Sequence, residues 1–298
     1  MSAAPVKPLG IVVAVDGSPA SDTAVVWAAR DAAMHNIPLT LFHAVVTPTT
    51  TWPPVPYPDS LLVKLEDDCR QQLAHAYKLA EEAIPAGRNV TITKEFVYST
   101  PALALIKMSD DAEMIVVGSS GRGLLARGVL GSVSSTVVRH AKCPVAVIRD
   151  EDVPDPQHGP VLVGIDGSPA SELATAIAFD QASHRGVDLV ALHAWSDVAI
   201  LELPAFDWES VEAEAERSLT ERLAGWHEQY PDVTVRRLLA RDLPAQQIIQ
   251  QTKSLEAQLV VVGSHGRGGL TGLILGSVSN TVLHSVLVPV IVARPTQA

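Results

Sequence analysis

The chain repeats itself, and that repetition limits what it can fold into. Asp16-Gly17-Ser18-Pro19-Ala20-Ser21 recurs letter for letter as Asp166-Gly167-Ser168-Pro169-Ala170-Ser171, an offset of 166 − 16 = 150, and His43-Ala44 returns as His193-Ala194 at the same offset. Further on, Gly118-Ser119-Ser120-Gly121-Arg122 leads across nine positions after Gly121 to Gly131-Ser132-Val133-Ser134. Gly263-Ser264-His265-Gly266-Arg267 keeps that spacing to Gly276-Ser277-Val278-Ser279. The offset here is 263 − 118 = 145, so the first copy holds about five additional residues in its middle. A sequence of 298 residues thus divides into two domains, residues 1–150 and 161–298, each long enough to bury its own core. Residues 151–160 between them are acidic and proline-rich, as befits a linker.

Within each copy, short apolar runs alternate with helical patterns. Ile11 to Val15 is a continuous apolar run ending in Asp-Gly, which reads as a strand buried on both faces. Ala24 to Met34 is alanine-rich and predicts a helix packed close on a sheet; Leu39 to Val45 predicts a second strand. Leu62, Leu65, Cys69, Leu73, Ala76, Ala80 and Ala83 recur at steps of three or four, the signature of a long amphipathic helix, and Val211, Ala215, Leu219, Leu223 and Trp226 repeat it. Thr91 to Val97 alternates as a third strand. Pro101 opens a short helix, as Pro244 does behind Asp242 as its cap. Met114 to Val117 is strand four, Ser132 to Ala141 a helix, and Val145 to Ile148 strand five. This alternation predicts an α/β fold of two tandem doubly wound, Rossmann-like domains, each a five-stranded parallel sheet with right-handed crossovers. With strand order 3-2-1-4-5, the order reverses between strands one and four, where such sheets bind ligands at the strands' carboxyl ends. Asp16 and Gly118 would then face each other across one crevice.

Composition excludes several classes. At 47% hydrophobic and 18% charged residues the chain is globular rather than disordered. A formal charge of −11 speaks against a nucleic-acid partner, whose phosphates it would repel, but leaves room for a small anion in a local basic pocket. Cys69 and Cys143 have no counterparts in the second copy, so no disulfide scaffold is expected and a reducing cytoplasm is the simplest setting. Met1 to Gly10 lacks the apolar core of a signal peptide, and no apolar run approaches membrane-spanning length.

The glycine loops suit an anion. Gly118 and Gly121, like Gly263 and Gly266, let a ligand approach the backbone closely. Gly131 and Gly276 allow a tight entry to a helix whose first amides, at Ser132, Val133 and Ser134 or Ser277, Val278 and Ser279, point out unsatisfied. The seryl hydroxyls, Ser119 and Ser264 included, add donors, and Arg122, Arg127 and Arg267 add positive charge. The plain alternative is turn and cap chemistry alone; recurrence of the glycines and serines while the arms between them diverge favours the ligand reading. Asp16 also has two readings. Its carboxylate could hold a ribose hydroxyl, an adenine edge or a metal on the phosphates, or it could close an Asx-turn with Gly17 while Ser18 caps the helix; Asp166, Gly167 and Ser168 stand in the same position. Gly10, ahead of strand one, and Val45 and Trp195, after strand two, complete the candidate set. His43 and His193 lack a cysteine or acid at useful spacing and read as core or strand-end histidines. Trp208 and Trp226 read as helix-packing residues. Pro48 to Pro58 reads as a long connecting loop or lid. No paired carboxylates, metal-ligand cluster or Ser-His-Asp order stands out.

Strand–Asp-Gly-Ser, strand–His-Ala and Gly-x2-Gly-x9-Gly-Ser together resemble a universal stress protein domain of the ATP-binding branch, and the resemblance covers both copies. It implies the 3-2-1-4-5 sheet order and one nucleotide per domain. The acid after strand one falls on Asp16 and Asp166, the adenine-side residue on Val45 and Trp195. The phosphate-binding positions fall on Gly118, Gly121, Gly131, Ser132 and Ser134, and on Gly263, Gly266, Gly276, Ser277 and Ser279. It further implies a homodimer paired through the fifth strands, an edge that invites a partner. The expectation is a cytoplasmic ATP-binding stress-response regulator, with Mg2+ on the phosphates and a regulatory protein partner, rather than a metabolic enzyme. The alternatives are a slow ATP hydrolase or phosphotransfer enzyme, and an interaction scaffold that binds no nucleotide.

Overall fold

The structure, a computed structural model, describes residues 8–46, 59–121, 130–149, 158–194, 208–241, 243–266 and 275–295. The chain divides into two compact units, Met1–Asp152 and Val153–Ala298. Unit 1 runs β1 (Ile11–Ala14), α1 (Pro19–His35), β2 (Leu39–Val45), α2 (Asp59–Ala83), β3 (Ile92–Tyr98), α3 (Pro101–Met108), β4 (Met114–Gly118), α4 (Ser132–His140) and β5 (Val145–Ile148). Unit 2 repeats the series as β6 (Val161–Gly164), α5 (Pro169–Arg185), β7 (Leu189–Ala194), α6 (Trp208–Gln229), β8 (Val235–Ala240), α7 (Pro244–Ser254), β9 (Leu259–Gly263), α8 (Ser277–Ser285) and β10 (Val290–Ala293). Every pairing within a unit is parallel. The order is β3-β2-β1-β4-β5 in unit 1 and β8-β7-β6-β9-β10 in unit 2. The central register sets Val12 between Thr40 and Ile115, and Leu162 between Val190 and Val260.

The elements follow from local chemistry. β5 and the first three residues of β1 are buried throughout, as unbroken apolar runs covered on both faces should be. α1 begins at Pro19, earlier than the alanine run alone suggests. Ser18 takes the N-cap in extended conformation and accepts from the Ser21 amide, and Pro19 needs no amide partner at the first helical position. Its buried Ala20, Ala24, Ala28, Ala29, Ala32 and Ala33 let the helix lie close on the sheet, and Asn36 ends it at φ 53°. α2 buries Cys69, Leu73, Ala76 and Ala80, and both cysteines are free thiols inside unit 1. In unit 2, Phe179 of α5 stacks on Trp226 and Tyr230, with ring centroids 5.6 and 5.8 Å away, so Trp226 is a packing residue. The Trp208 side chain lies outside the described residues.

Two local expectations change. β3 does not alternate between buried and exposed; six of its seven residues are exposed, because it forms an edge of the unit 1 sheet. α7 is preceded by Leu243 at φ 44° with no side-chain cap, and Asp242 lies outside the described residues. No helix among the described residues is long and apolar enough to cross a membrane.

Candidate functional site

β1 and β4 are neighbours whose outer partners lie on opposite sides, so the sheet order reverses between them and a crevice opens at their carboxyl ends. Asp16 stands on one side. Its Oδ1 accepts from the Ser18 amide at 2.9 Å and from the Ser18 hydroxyl at 2.6 Å, closing the turn before α1. Gly17 takes φ 74° within that turn, a conformation most residues avoid. The Asp16 amide donates to the Ser21 hydroxyl at 3.1 Å. The other carboxylate oxygen faces across the crevice: a Cβ on Gly121 would stand 2.8 Å from Asp16 Oδ2. Asp16 therefore closes the Asx-turn with one oxygen and meets the glycine loop with the other. Unit 2 repeats this. The Ser168 amide donates to Asp166 Oδ1 at 2.9 Å, Gly167 has φ 77°, and a Cβ on Gly266 would stand 2.5 Å from Asp166 Oδ2.

The opposite wall is the glycine loop and the start of α4. The Ser119 amide donates to the Ile148 carbonyl at 2.6 Å and the Gly131 amide to the Ser119 carbonyl at 2.7 Å, so these two amides serve the fold. α4 makes its first internal bond from the Ser135 amide to the Gly131 carbonyl, and no side chain caps it. Among the described residues, the amides of Ser132, Val133 and Ser134 thus have no partner, and the Ser132 side chain is exposed beside them. α8 begins the same way: the Ser264 and Gly276 amides are used internally, the Asn280 amide makes the first helical bond, and Ser277, Val278 and Ser279 offer theirs outward. Each crevice therefore sets three oriented donors and a helix N-terminus opposite a carboxylate, an arrangement that suits a ligand with an anionic end and a donor-bearing end.

Several predicted roles are corrected. The space beside Gly118 is not ligand space: a Cβ there would stand 2.9 Å from the Ala20 backbone carbonyl carbon and oxygen, so this glycine lets α1 approach β4. Gly263 does the same against Ala170. Ser134 and Ser279 are buried and donate to the carbonyls of Gly118 and Gly263 at 2.6 and 2.5 Å, tying helix to strand rather than facing the crevice with their hydroxyls. Gly10 falls at the wrong end of β1. It has φ 56°, its missing Cβ is required by the Pro38 carbonyl, and a four-residue strand, about 13 Å at 3.3 Å per residue, separates it from the crevice. Val45 is buried at the end of β2. Arg122, Arg127, Trp195, Arg267 and the proline-rich stretch 48–58 lie outside the described residues.

His43 and His193 are strand-end histidines: each Nδ1 bonds the carbonyl that follows the neighbouring first strand, Val15 at 2.7 Å and Ile165 at 2.6 Å. Sequence reasoning passed over four contributing residues. Ser21 and Ser171 hold the amides of the two aspartates, and their place inside the hexapeptide repeat was the available signal. His265, the one letter by which Gly263-Ser264-His265-Gly266-Arg267 differs from Gly118-Ser119-Ser120-Gly121-Arg122, has Nδ1 2.9 Å from the Ser264 hydroxyl, while its carbonyl accepts from Ser168 at 3.2 Å. Arg222 of α6 lays its guanidinium in the space Gly167 leaves and pairs with Glu172 at 2.6 Å. Nothing in the periodicity of α6 marks that contact.

Comparison with known proteins agrees with this architecture. The model of the Universal stress protein family matches residues 10–149 and again 158–294. The chain is 62% identical over 292 residues to universal stress protein Rv2005c of Mycobacterium tuberculosis, covering 97% of this chain and 98% of that one. It is 46% identical over 287 residues to a universal stress protein of Mycolicibacterium smegmatis, covering 96% and 97%. A crystal structure of a universal stress protein from Archaeoglobus fulgidus, 21% identical, superposes with a TM-score of 0.73 over 96% of this chain and 98% of its own, a likeness of fold. Matched along both halves by one family, the chain belongs to the universal stress protein family and carries two of its domains in tandem.

Proposed function

We propose that the chain is an ATP-binding regulatory protein with one nucleotide crevice in each unit, and that ATP biases its conformation or assembly. The observation that carries this reading is the pair of uncapped helix starts, α4 and α8, each opposite an aspartate at a strand end. A polyphosphate supplies the acceptor oxygens that the amides of Ser132, Val133 and Ser134 lack, and those of Ser277, Val278 and Ser279 likewise, while the helix dipole favours its charge. Asp16 and Asp166 would accept from a ribose hydroxyl or from the amino group of adenine. Val45 and Trp195 would flank the base. Arg122, Arg127 and Arg267 would add cations to the phosphates, and Mg2+ bound with ATP would neutralise part of their charge. ATP can shift an equilibrium only by binding two states unequally, so the reading requires a difference in affinity between conformations or assembly states.

The test is direct. Heat-released ligand from freshly purified protein is identified by chromatography, and ATP is titrated into the emptied protein by calorimetry. Two binding events are expected, together with a stabilisation of about 2.7 kcal/mol at ATP one hundred times its dissociation constant. Absence of released nucleotide, with no ATP-dependent rise in melting temperature, would refute the proposal. Sedimentation with and without ATP then reads any effect on assembly.

A further inference from the structure

The two crevices are not copies of each other, and the difference centres on His265. In unit 1 the Ser18 hydroxyl donates to Asp16 Oδ1 at 2.6 Å, within its own turn. In unit 2 the matching hydroxyl, on Ser168, turns away from Asp166 and donates to the His265 carbonyl at 3.2 Å, so it bridges from the start of α5 to the glycine loop. A hydroxyl has one proton to give, and among the described residues Asp166 Oδ1 accepts only from the Ser168 amide. The unit 2 loop also lies closer to both of its walls. A Cβ on Gly266 would stand 2.5 Å from Asp166 Oδ2, against 2.8 Å for Gly121 and Asp16. A Cβ on Gly276 would stand 3.2 Å from the His265 Cα, against 3.7 Å for Gly131 and the Ser120 Cα. The side chain supplies a cause. His265 Nδ1 lies 2.9 Å from the hydroxyl of Ser264, which is buried, whereas the Ser120 side chain has no such anchor among the described residues.

On the nucleotide reading given above, we propose that His265 makes unit 2 the tighter of the two sites. Its ring anchors the loop on Ser264, the loop carbonyl engages Ser168, and the crevice is held in shape before the ligand arrives. His265 is thus a positioning residue, and two effects act in the same direction. A loop already ordered costs the ligand less to fix. The Asp166 carboxylate, relieved of the hydroxyl donor that Asp16 carries, keeps more acceptor capacity for a ribose hydroxyl or an adenine amino group. One hydrogen bond of this kind shifts an equilibrium roughly two- to tenfold, and a like factor is expected between the two affinities.

Two measurements on the full chain test this. Without nucleotide, amide hydrogen exchange is read at Gly276, whose amide donates to the Ser264 carbonyl at 2.7 Å and so reports opening of the unit 2 loop; Gly131, bonded to the Ser119 carbonyl at 2.7 Å, is the internal reference. H265S makes the five letters of the two loops identical and is expected to speed exchange at Gly276 roughly two- to tenfold while Gly131 stays unchanged. H265N keeps a polar atom near the place of Nδ1 and is expected to retain the slow exchange. Calorimetric titration of ATP is expected to show two unequal sites in the parent and in H265N, and two nearly equal ones in H265S. An H265S unchanged in Gly276 exchange or in ATP affinity overturns the inference and leaves the nucleotide reading standing, as do two equal sites in the parent or an H265N that behaves like H265S. A parent that binds no ATP overturns both together.

Discussion

Gly118→Ala separates a packing role from a ligand role. The added Cβ would stand 2.9 Å from the carbonyl carbon and oxygen of Ala20 and 3.0 Å from its Cβ. Ordinary contact begins near 3.4 Å, so α1 and β4 must part by about half an ångström, against backbone rather than a mobile side chain. Overpacking of this kind costs about 1–3 kcal/mol, and the loss of unfolded-state entropy on replacing glycine returns about 0.4–1 kcal/mol. A net loss of about 1–2 kcal/mol is expected, which lowers the melting temperature of a domain this size by roughly 2–8 °C. Differential scanning calorimetry of the nucleotide-free protein should show this in the unit 1 transition. Gly263→Ala should lower the unit 2 transition, since its Cβ would meet Ala170 at 2.9 to 3.1 Å. If Gly118→Ala melts within a degree of the parent and loses only nucleotide affinity, the packing argument is wrong and the glycine belongs to the crevice.

Gly121→Ala acts on the crevice itself: its methyl would press on Asp16 Oδ2 at 2.8 Å, so calorimetric titration should show ATP affinity in unit 1 falling roughly tenfold with little change in melting temperature. Ser134→Ala removes the buried donor to the Gly118 carbonyl and should cost about 1–3 kcal/mol in urea unfolding, with Ser279→Ala doing the same in unit 2. Burial, with Asp180 and Asp232 nearby, raises the Tyr230 pKa above its ordinary value. The native state therefore keeps a proton that the unfolded state gives up, and stability of unit 2 should fall as pH climbs above about 10. Tyr230→Phe should flatten that fall in thermal melts taken across the range.

The fold was legible because its elements are written in local terms. Unbroken apolar runs mark the central strands, Ser18-Pro19 and Ser168-Pro169 mark the starts of α1 and α5, and the hexapeptide recurrence marks the duplication. The crevice was legible too, since it follows from where the strand order reverses. What the sequence did not carry is which neighbour occupies the space a glycine leaves. Gly118 meets Ala20, nearly a hundred residues away, Gly10 meets Pro38, and Gly167 meets Arg222. Such contacts arise only once helices are laid on the sheet, and no periodicity records them. The two readings of Asp16 were not rivals, because a carboxylate has two oxygens and the fold takes one while the other faces the loop. That sharing limits what substitutions can prove. Changing Asp16 or Ser134 disturbs turn, strand and crevice together, so lost binding in such variants would not by itself locate a ligand. Gly121 and the exposed Ser132 touch the crevice without tying elements together, and on them the nucleotide reading stands or falls.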